Sequence, residues 1–182
     1  HGNVVMIDAW DSYCEEKIES GELDITITFG PVDDVRFDCT VLHQGTLAAL
    51  VHPENVLSNR KSLRIQDLAD QKIITVNRYF RNYDILMQAC QSRGFKPRII
   101  LNTVNLTATL FGYQDRKAIG ISNNLCYPTE SIGEYKVIPV LDQKTTCQIN
   151  LLIHPRQCKN KAIQQLKQEL LQCFFINTDV KC

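Results

Sequence analysis

Apolar side chains recur with two different spacings along this chain, and these spacings predict alternating strands and helices. Residues 23–29 alternate between apolar and polar side chains, which is the period of a strand. Residues 158–175 repeat apolar side chains every three or four positions and predict the longest helix. Other strands are predicted at 4–7, 37–43, 46–51, 72–76, 97–104, 118–122, 135–141 and 148–153, and other helices at 12–20, 62–68, 82–93 and from Asn105 onwards. Because strands separated by helices form mostly parallel sheets, the pattern predicts an α/β protein.

The first predicted helix has recognisable start and stop signals. Asp11 or Ser12 is expected to cap its N-terminus, and Ser12 with Glu15 has the form of a capping box. Gly21 stands where a helix needs a left-handed C-terminal residue. The strand that follows is expected to end at Pro31, because proline cannot donate a hydrogen bond to a neighbouring strand.

The composition narrows the class of protein. The chain has 182 residues, of which 44% are hydrophobic, and this suits one globular domain or two small lobes that share strands. Its 20 basic and 20 acidic residues cancel, so this segment lacks the basic surplus of a DNA-binding domain. No apolar run reaches the roughly 18 residues that a membrane span needs. The start at His1 has neither an initiator methionine nor the form of a signal peptide, so we expect an excised fragment.

Eight cysteines occur at positions 14, 39, 90, 126, 147, 158, 173 and 182. They are scattered, with no Cys-x-x-Cys pair and no Cys/His cluster, so the spacing does not indicate a zinc site. A chain of this size also builds a sufficient core without disulfides. We expect reduced, mostly buried cysteines, no metal and no cofactor, in a cytoplasmic protein.

Five short motifs occur in the order and at the spacing of a known family. They are Gly-Glu-Leu-Asp-Ile at 21–25, His-Pro at 52–53, Ser-Leu-Arg-Ile-Gln-Asp-Leu-Ala-Asp at 62–70, Gly-Phe-Lys-Pro-Arg-Ile at 94–99 and Ala-Ile-Gly-Ile at 118–121. Each motif is weak alone, but their order and spacing are specific together and run through nearly the whole chain. The chain therefore resembles the effector-binding domain of LysR-type transcriptional regulators.

The resemblance implies a two-lobed α/β fold like that of type-2 periplasmic binding proteins. Two crossover strands would join the lobes, at 46–51 and 148–153. Lobe one would comprise residues 1–50 with 149–182, and lobe two residues 51–148. In the family a further strand and helix open lobe one, and a winged-helix DNA-binding segment precedes the domain. Both are expected to be missing from this chain.

The resemblance also implies a small-molecule effector in the cleft between the lobes, and the predicted helix starts indicate where it would bind. Helix N-termini present free backbone N–H groups and partial positive charge, which favour an anion such as a small carboxylate. Three helix starts are expected to face the cleft. The predicted ligand-binding residues are Asp11, Ser12, Phe29, Arg78, Phe80, Arg81, Asn82, Asn105 and Thr107. No catalytic or metal-binding residue is predicted.

Each of these residue types also has an ordinary structural role. Asp11 could repel an anionic ligand or pair with a cationic group, or it could simply be the cap of its helix. Arg78 and Arg81 could clamp a carboxylate in bidentate fashion, or they could be solvated surface residues. Hydrogen bonds to a ligand could also come from Thr103, Asn105 and Thr107, or these three residues could serve only as capping residues.

Aromatic and nucleophilic residues give weaker signals. Phe29 and Trp10 could line the cleft, although burial in the core is the expected place for both. Cys39 and His43 lie four residues apart on a strand, a spacing that does not assemble a nucleophile and a base. The phosphate-binding and hydrolase motifs with defined spacing do not occur, so the chain is not predicted to be an enzyme.

The implied partners are a small-molecule effector and further copies of the chain, as a homodimer or tetramer. DNA would be contacted only through the absent N-terminal domain, and no membrane contact is expected. Dimers would pair through lobe-one elements, the helix at 11–20 and the strand and helix near the C-terminus. A solute-binding protein of a transporter is the main alternative, and it would need a secretory signal. An enzyme with the same fold would need a titratable group with a shifted pKa in its cleft.

Overall fold

The computed structural model describes residues 4–32, 35–127 and 130–178, with side chains up to Gln172. These residues form strands that alternate with α-helices, so the predicted α/β class is confirmed. The chain packs as two compact units, termed unit 1 (residues 1–43 and 148–182) and unit 2 (residues 44–147). Both boundaries between the units fall inside strands, one in β2 (Asp38–Val51) and one in β8 (Thr146–Ile153). The lobe limits given above stay a prediction.

Unit 1 contains α1 (Asp11–Ser20), β1 (Ile25–Gly30) and α4 (Lys161–Thr178). β1 runs antiparallel to β8, with Ile25 opposite Ile153. A small core of Ile18, Phe37 and Leu152 lies in this unit. Because α1 and β1 are joined by only four residues, the turn has to be tight, and Gly21 adopts φ 78° there as predicted.

The structure of the N-terminal segment differs from the sequence prediction. Residues 4–7 were expected to form a buried strand, but they form neither a strand nor a helix. Val4, Val5 and Met6 are 76%, 82% and 92% exposed. A strand is stable only when a neighbouring strand takes up its backbone hydrogen bonds, and within the described residues none pairs with this segment. The expectation that Trp10 lies in the core is also wrong, since this side chain is 47% exposed.

Unit 2 is built on a mixed sheet. β3 (Lys72–Val76) lies between β4 (Arg98–Thr103) and β5 (Ile119–Asn123), and all three run parallel. β2 pairs antiparallel with β5 and with β7 (Tyr135–Pro139), and β7 pairs with β6 (Ser131–Ile132). The sequence pattern predicted mostly parallel sheets. Among the described pairs, however, only β3 with β4 and β3 with β5 are parallel.

Helices α2 (Arg81–Ser92) and α3 (Leu106–Gly112) complete unit 2. The apolar face predicted for the helix at 82–93 is buried, at Ile85, Leu86, Ala89 and Cys90. The helix predicted at 62–68 is only a short 3-10 turn at Ile65–Leu68, and the strands predicted at 37–43 and 46–51 form the single strand β2. Within the described residues, no helix is long and apolar enough to cross a membrane.

Candidate functional site

The carboxyl ends of three parallel strands lie at one edge of the unit 2 sheet. β3, β4 and β5 end at Val76, Thr103 and Asn123. The chain leaves β3 for α2 and leaves β4 for α3, so two helix N-termini follow these strand ends. Open α/β sheets bind ligands at this kind of edge, where backbone N–H groups are free. The unit 2 residues predicted from the sequence all lie in these connections or in the first turns of the helices.

Asn77 fixes the connection between β3 and α2. Its backbone N–H donates to Thr103 O at 3.0 Å, which ties the connection to the end of β4. Its Oδ1 accepts from the Tyr79 N–H at 3.0 Å, and its carbonyl oxygen accepts from the Phe80 N–H at 3.1 Å. The sequence analysis did not select Asn77. An Asn at the end of a β-branched strand is the signal that could have identified this turn.

The N-terminus of α2 carries polar side chains but no side-chain cap. Phe80 is the N-cap residue, with an extended backbone, and it supplies no capping oxygen. Arg81 follows and is half-buried. Asn82 is 5% exposed, and within the described residues its Oδ1 has no hydrogen-bond partner. Arg78 is exposed instead, with its guanidinium 5.6 Å from the ring centroid of Tyr79.

The N-terminus of α3 is already capped. Asn105 Oδ1 accepts from the Ala108 N–H at 3.0 Å, so the capping role weighed for this residue is confirmed. Thr103 Oγ1 accepts from the Asn105 N–H at 3.1 Å and lies 2.7 Å from Thr109 Oγ1. These bonds use the side-chain groups that the sequence analysis had considered for a ligand, except for Thr107.

Thr107 faces a tyrosine rather than a helix end. Its Oγ1 lies 3.1 Å from the Tyr127 hydroxyl, and burial raises the pKa of that hydroxyl above its ordinary value. At the end of β5, Asn123 is fully buried, and its Oδ1 accepts from the Cys126 N–H at 2.9 Å. Its Nδ2 has no partner among the residues that the structure describes. Asn123 was also missed, although an Asn at the end of an apolar strand could have indicated it.

The predicted site residues of unit 1 group around the start of α1. Asp11 is 8% exposed, and its Oδ1 accepts from the backbone N–H of Phe29 at 2.9 Å. The expectation that Asp11 or Ser12 caps α1 is wrong, because the N-cap residue is Trp10 and no side chain bonds there. Asp11 is instead the first helical residue, turned toward β1. Ser12 is exposed, and Phe29 is half-buried.

A buried polar pair lies on the strands beside Phe29. Thr28 of β1 is opposite Asn150 of β8, and the two are 3% and 0% exposed. Thr28 Oγ1 and both amide atoms of Asn150 lack a hydrogen-bond partner in the described part of the chain. A Cβ at Gly30 would lie 2.0 Å from Asn150 Nδ2, so glycine is required for this close approach.

Two buried thiols of unit 2 are poorly suited to nucleophilic chemistry. Among the residues whose side chains are described, no cysteine forms a disulfide, and the side chains of Cys173 and Cys182 lie outside them. Burial raises the pKa of Cys90 to about 11 and that of Cys147 to about 12, which suppresses the reactive thiolate. In the described residues, no His, Cys, Asp and Glu side chains cluster in a way that could hold a metal ion.

Comparison with known proteins identifies related sequences and folds. A family model described as LysR substrate binding domain matches residues 4–174. An uncharacterized HTH-type transcriptional regulator of Bacillus subtilis (strain 168), YwbI, is 29% identical over 89 residues, which is 49% of this chain and 30% of the regulator. The matched segment therefore covers less than a third of that regulator's length.

Two solved structures show a similar fold. The effector binding domain of BenM with its effector benzoate has a TM-score of 0.74 and 17% identity, over 96% of this chain and 79% of that chain. The reduced form of OxyR has a TM-score of 0.71 and 16% identity, over 94% and 79%. These similarities define an α/β domain of the type-2 periplasmic-binding-protein class. The chain belongs to the family of LysR substrate-binding domains, as its motifs indicated.

Proposed function

We propose that this chain is the effector-sensing domain of a LysR-type transcriptional regulator, and that its effector is a small carboxylate held at the start of α2. The observation that supports this ligand-binding site is the structure of the first turn of α2. It has no side-chain cap, it presents Arg81, and it buries an Asn82 oxygen that lacks a partner in the described residues. An anion there would be attracted both by the helix N-terminus and by a guanidinium group.

The unpartnered amide atoms indicate more about the ligand. Asn82 Oδ1 can only accept a hydrogen bond, whereas Asn123 Nδ2 can only donate one. A buried polar atom without a partner costs about 1–3 kcal/mol, so a ligand that satisfies both atoms gains this free energy on binding. We infer an effector that carries a hydroxyl or amino donor beside its carboxylate. The donor would reach Asn82, and a carboxylate oxygen would accept from Asn123.

The architecture and partners of the whole regulator are proposed from the LysR family to which the chain belongs. Units 1 and 2 would be the two lobes, and the effector would change the regulator only if it binds one of their arrangements more tightly than the other. A homodimer or tetramer, a DNA-binding domain outside this chain and a cytoplasmic location would follow. The match to the LysR family and the HTH-type regulator supports this proposal. BenM, whose structure holds benzoate, supports a carboxylate ligand.

Calorimetric titration with matched small molecules tests the site. Salicylate would be compared with benzoate, and lactate with propionate, because each pair differs in one hydroxyl group. Benzamide would serve as the neutral counterpart of benzoate. We expect at least one hydroxy acid to bind about tenfold more tightly than its unsubstituted partner, as one satisfied polar group implies. We also expect benzamide not to compete.

Substitutions then place the ligand on the structure. Arg81→Gln should weaken carboxylate binding, and Asn82→Leu should remove the preference for the hydroxy acid. Arg78→Gln should have a smaller effect because this side chain is exposed. Arg60→Gln is the matched control, since Arg60 is an exposed arginine of unit 2 outside these connections. Ser12→Ala tests the unit 1 part of the prediction in the same titration.

Two results would overturn this proposal. If no carboxylate binds, or if binding survives Arg81→Gln and Asn82→Leu unchanged, the start of α2 is not the site.

We also propose that the domain is not an enzyme. The bound acid should then be recovered unchanged after long incubation, as chromatography of the released ligand would show.

A further inference from the structure

The two places where the chain enters and leaves unit 2 are bonded to each other inside that unit. Thr46 of β2 is the third residue after one boundary, and Thr145 is the third residue before the other. Thr46 Oγ1 lies 2.9 Å from Thr145 Oγ1, and the Leu47 N–H donates to the Thr145 carbonyl oxygen at 2.8 Å. Thr145 is buried, so these bonds are shielded from water. One hydrogen-bonded cluster therefore holds both passages of the chain.

Asn124, in the turn that follows β5, bonds twice to the same threonine. Its Oδ1 accepts from the Thr46 N–H at 2.8 Å, and its own N–H donates to the Thr46 carbonyl oxygen at 3.0 Å. Gly45 permits this approach, because a Cβ there would lie 2.3 Å from Asn124 Oδ1 and 2.6 Å from Leu125 Cδ2. The turn at 123–127 is therefore fitted closely against β2 at the edge of unit 2.

Asn123 belongs to the same turn and reaches the proposed ligand. Its Oδ1 accepts from the Cys126 N–H at 2.9 Å, which helps to close the turn. Its Nδ2 is the donor proposed above for the effector carboxylate, and it has no partner in the part of the chain that the structure describes. A buried donor without a partner favours openings of the turn that let water reach it. A carboxylate bound to Nδ2 would remove that tendency.

We propose that Asn124 is a positioning residue, which transmits the binding of a carboxylate at Asn123 to β2 and β8 through Thr46 and Thr145. This inference rests on the ligand site proposed above. Without a ligand the turn opens more often, and the bonds around Thr46 are held less firmly. With a ligand the turn stays closed, so the effector acts through its higher affinity for the closed turn.

A double-mutant cycle without any ligand tests the link between the two asparagines. The readout is hydrogen exchange at the Leu47 N–H, measured by NMR, because the variants do not alter its acceptor, the Thr145 carbonyl oxygen. Asn123→Asp keeps the acceptor for Cys126 but buries a charge at the unpartnered position, which favours opening of the turn. We expect it to speed this exchange about tenfold in the native chain and no further in Asn124→Leu.

A saturating hydroxy acid from the titration above, salicylate or lactate, tests the transmission itself. Exchange at the Leu47 N–H should slow about tenfold when the acid binds the native chain. Asn124→Asp keeps an oxygen that accepts from the Thr46 N–H, so this variant should respond in the same way. Asn124→Leu removes that oxygen at similar volume and should bind the acid without the response. Asn59→Leu is the matched control, since Asn59 is an exposed asparagine of unit 2.

The outcomes separate this coupling from the ligand site. Additive effects in the ligand-free cycle, or a full response in Asn124→Leu, would overturn the role of Asn124. If Asn124→Asp responds no better than Asn124→Leu, the hydrogen bond to Thr46 is not the link. Absence of carboxylate binding to the native chain would instead overturn the proposed ligand site, and the ligand-free cycle would still decide whether Asn123 and Asn124 act together. Circular dichroism shows whether each variant folds, and the acid response decides the question if Asn123→Asp does not.

Discussion

Asp11 Oδ1 accepts a hydrogen bond of 2.9 Å from the backbone N–H of Phe29, and this bond fastens the start of α1 to the end of β1. The two residues lie 18 positions apart, so the bond closes the first helix–strand unit of the fold. Asp11 is 8% exposed, which makes it a structural carboxylate whatever else it does.

Replacing Asp11 should therefore destabilise unit 1. Asp11→Ala would leave the Phe29 N–H without this acceptor, at a cost of about 1–3 kcal/mol. Asp11→Asn keeps an oxygen at the same place and should cost less. Asp8→Ala is the control, since Asp8 is exposed. Urea unfolding would measure the free energies, and equal values for Asp11→Ala and Asp8→Ala would contradict the structural role.

Gly30 is the second position at which unit 1 should be sensitive. A Cβ there would lie 2.0 Å from Asn150 Nδ2, so Gly30→Ala should destabilise the domain by about 1–3 kcal/mol through overpacking. Gly112→Ala is the control, because no atom lies within 4 Å of its added Cβ. The double variant Gly30→Ala with Asn150→Ala should recover part of the loss. Thermal or urea unfolding of a double-mutant cycle checks this, and purely additive losses would disprove the contact.

The pair of Arg93 and Asp142 should give unit 2 a dependence on acid. Arg93 Nη2 lies 2.6 Å from Asp142 Oδ1, and this hydrogen bond holds the pKa of the carboxyl below its ordinary range. The unfolded chain then binds the proton more readily, so the stability is fully present above the unfolded pKa of about 4 and is lost as the pH falls through the lower folded pKa.

Arg93→Gln tests that sign. Its destabilisation relative to the native chain should be constant between pH 5 and pH 7 and should shrink below about pH 4, where the carboxyl becomes protonated. Urea midpoints at several pH values would show the trend. Arg60→Gln should show no such trend, and a destabilisation by Arg93→Gln that grows in acid would contradict the prediction.

The cysteines should differ sharply in reactivity. Cys126 is exposed, whereas Cys90 and Cys147 are buried with pKa values raised to about 11 and about 12. At pH 8 about one thiol in a thousand or fewer would be ionised at the buried positions. Iodoacetamide should therefore modify Cys126 first in the folded protein, as peptide mass spectrometry would show. In urea all three should react, and early modification of Cys147 under native conditions would refute its burial.

Local chemistry made several elements predictable. Three predictions were confirmed: the left-handed turn at Gly21, the strand in the alternating residues 23–29 and the buried apolar face of α2. Each of these features depends on neighbours within a few positions of the chain. Asn105 was also recognisable as a cap, since a cap bonds within its own first turn. The helix predicted at 158–175 is α4, which begins three residues later, at Lys161, after a separate 3-10 turn at Pro155–Gln157.

Periodicity and motif spacing are properties of the chain alone, and for this reason the α/β class, most of the strands and helices and the family could be predicted from the sequence. Three features became visible only in the folded structure: the bond of Asp11 to Phe29, the buried amide atoms of Asn82, Asn123 and Asn150, and the exposure of residues 4–6. Each of these depends on groups distant in sequence. A side chain's period predicts its face, but only its packed neighbours determine whether that face is covered and whether its polar atoms find partners.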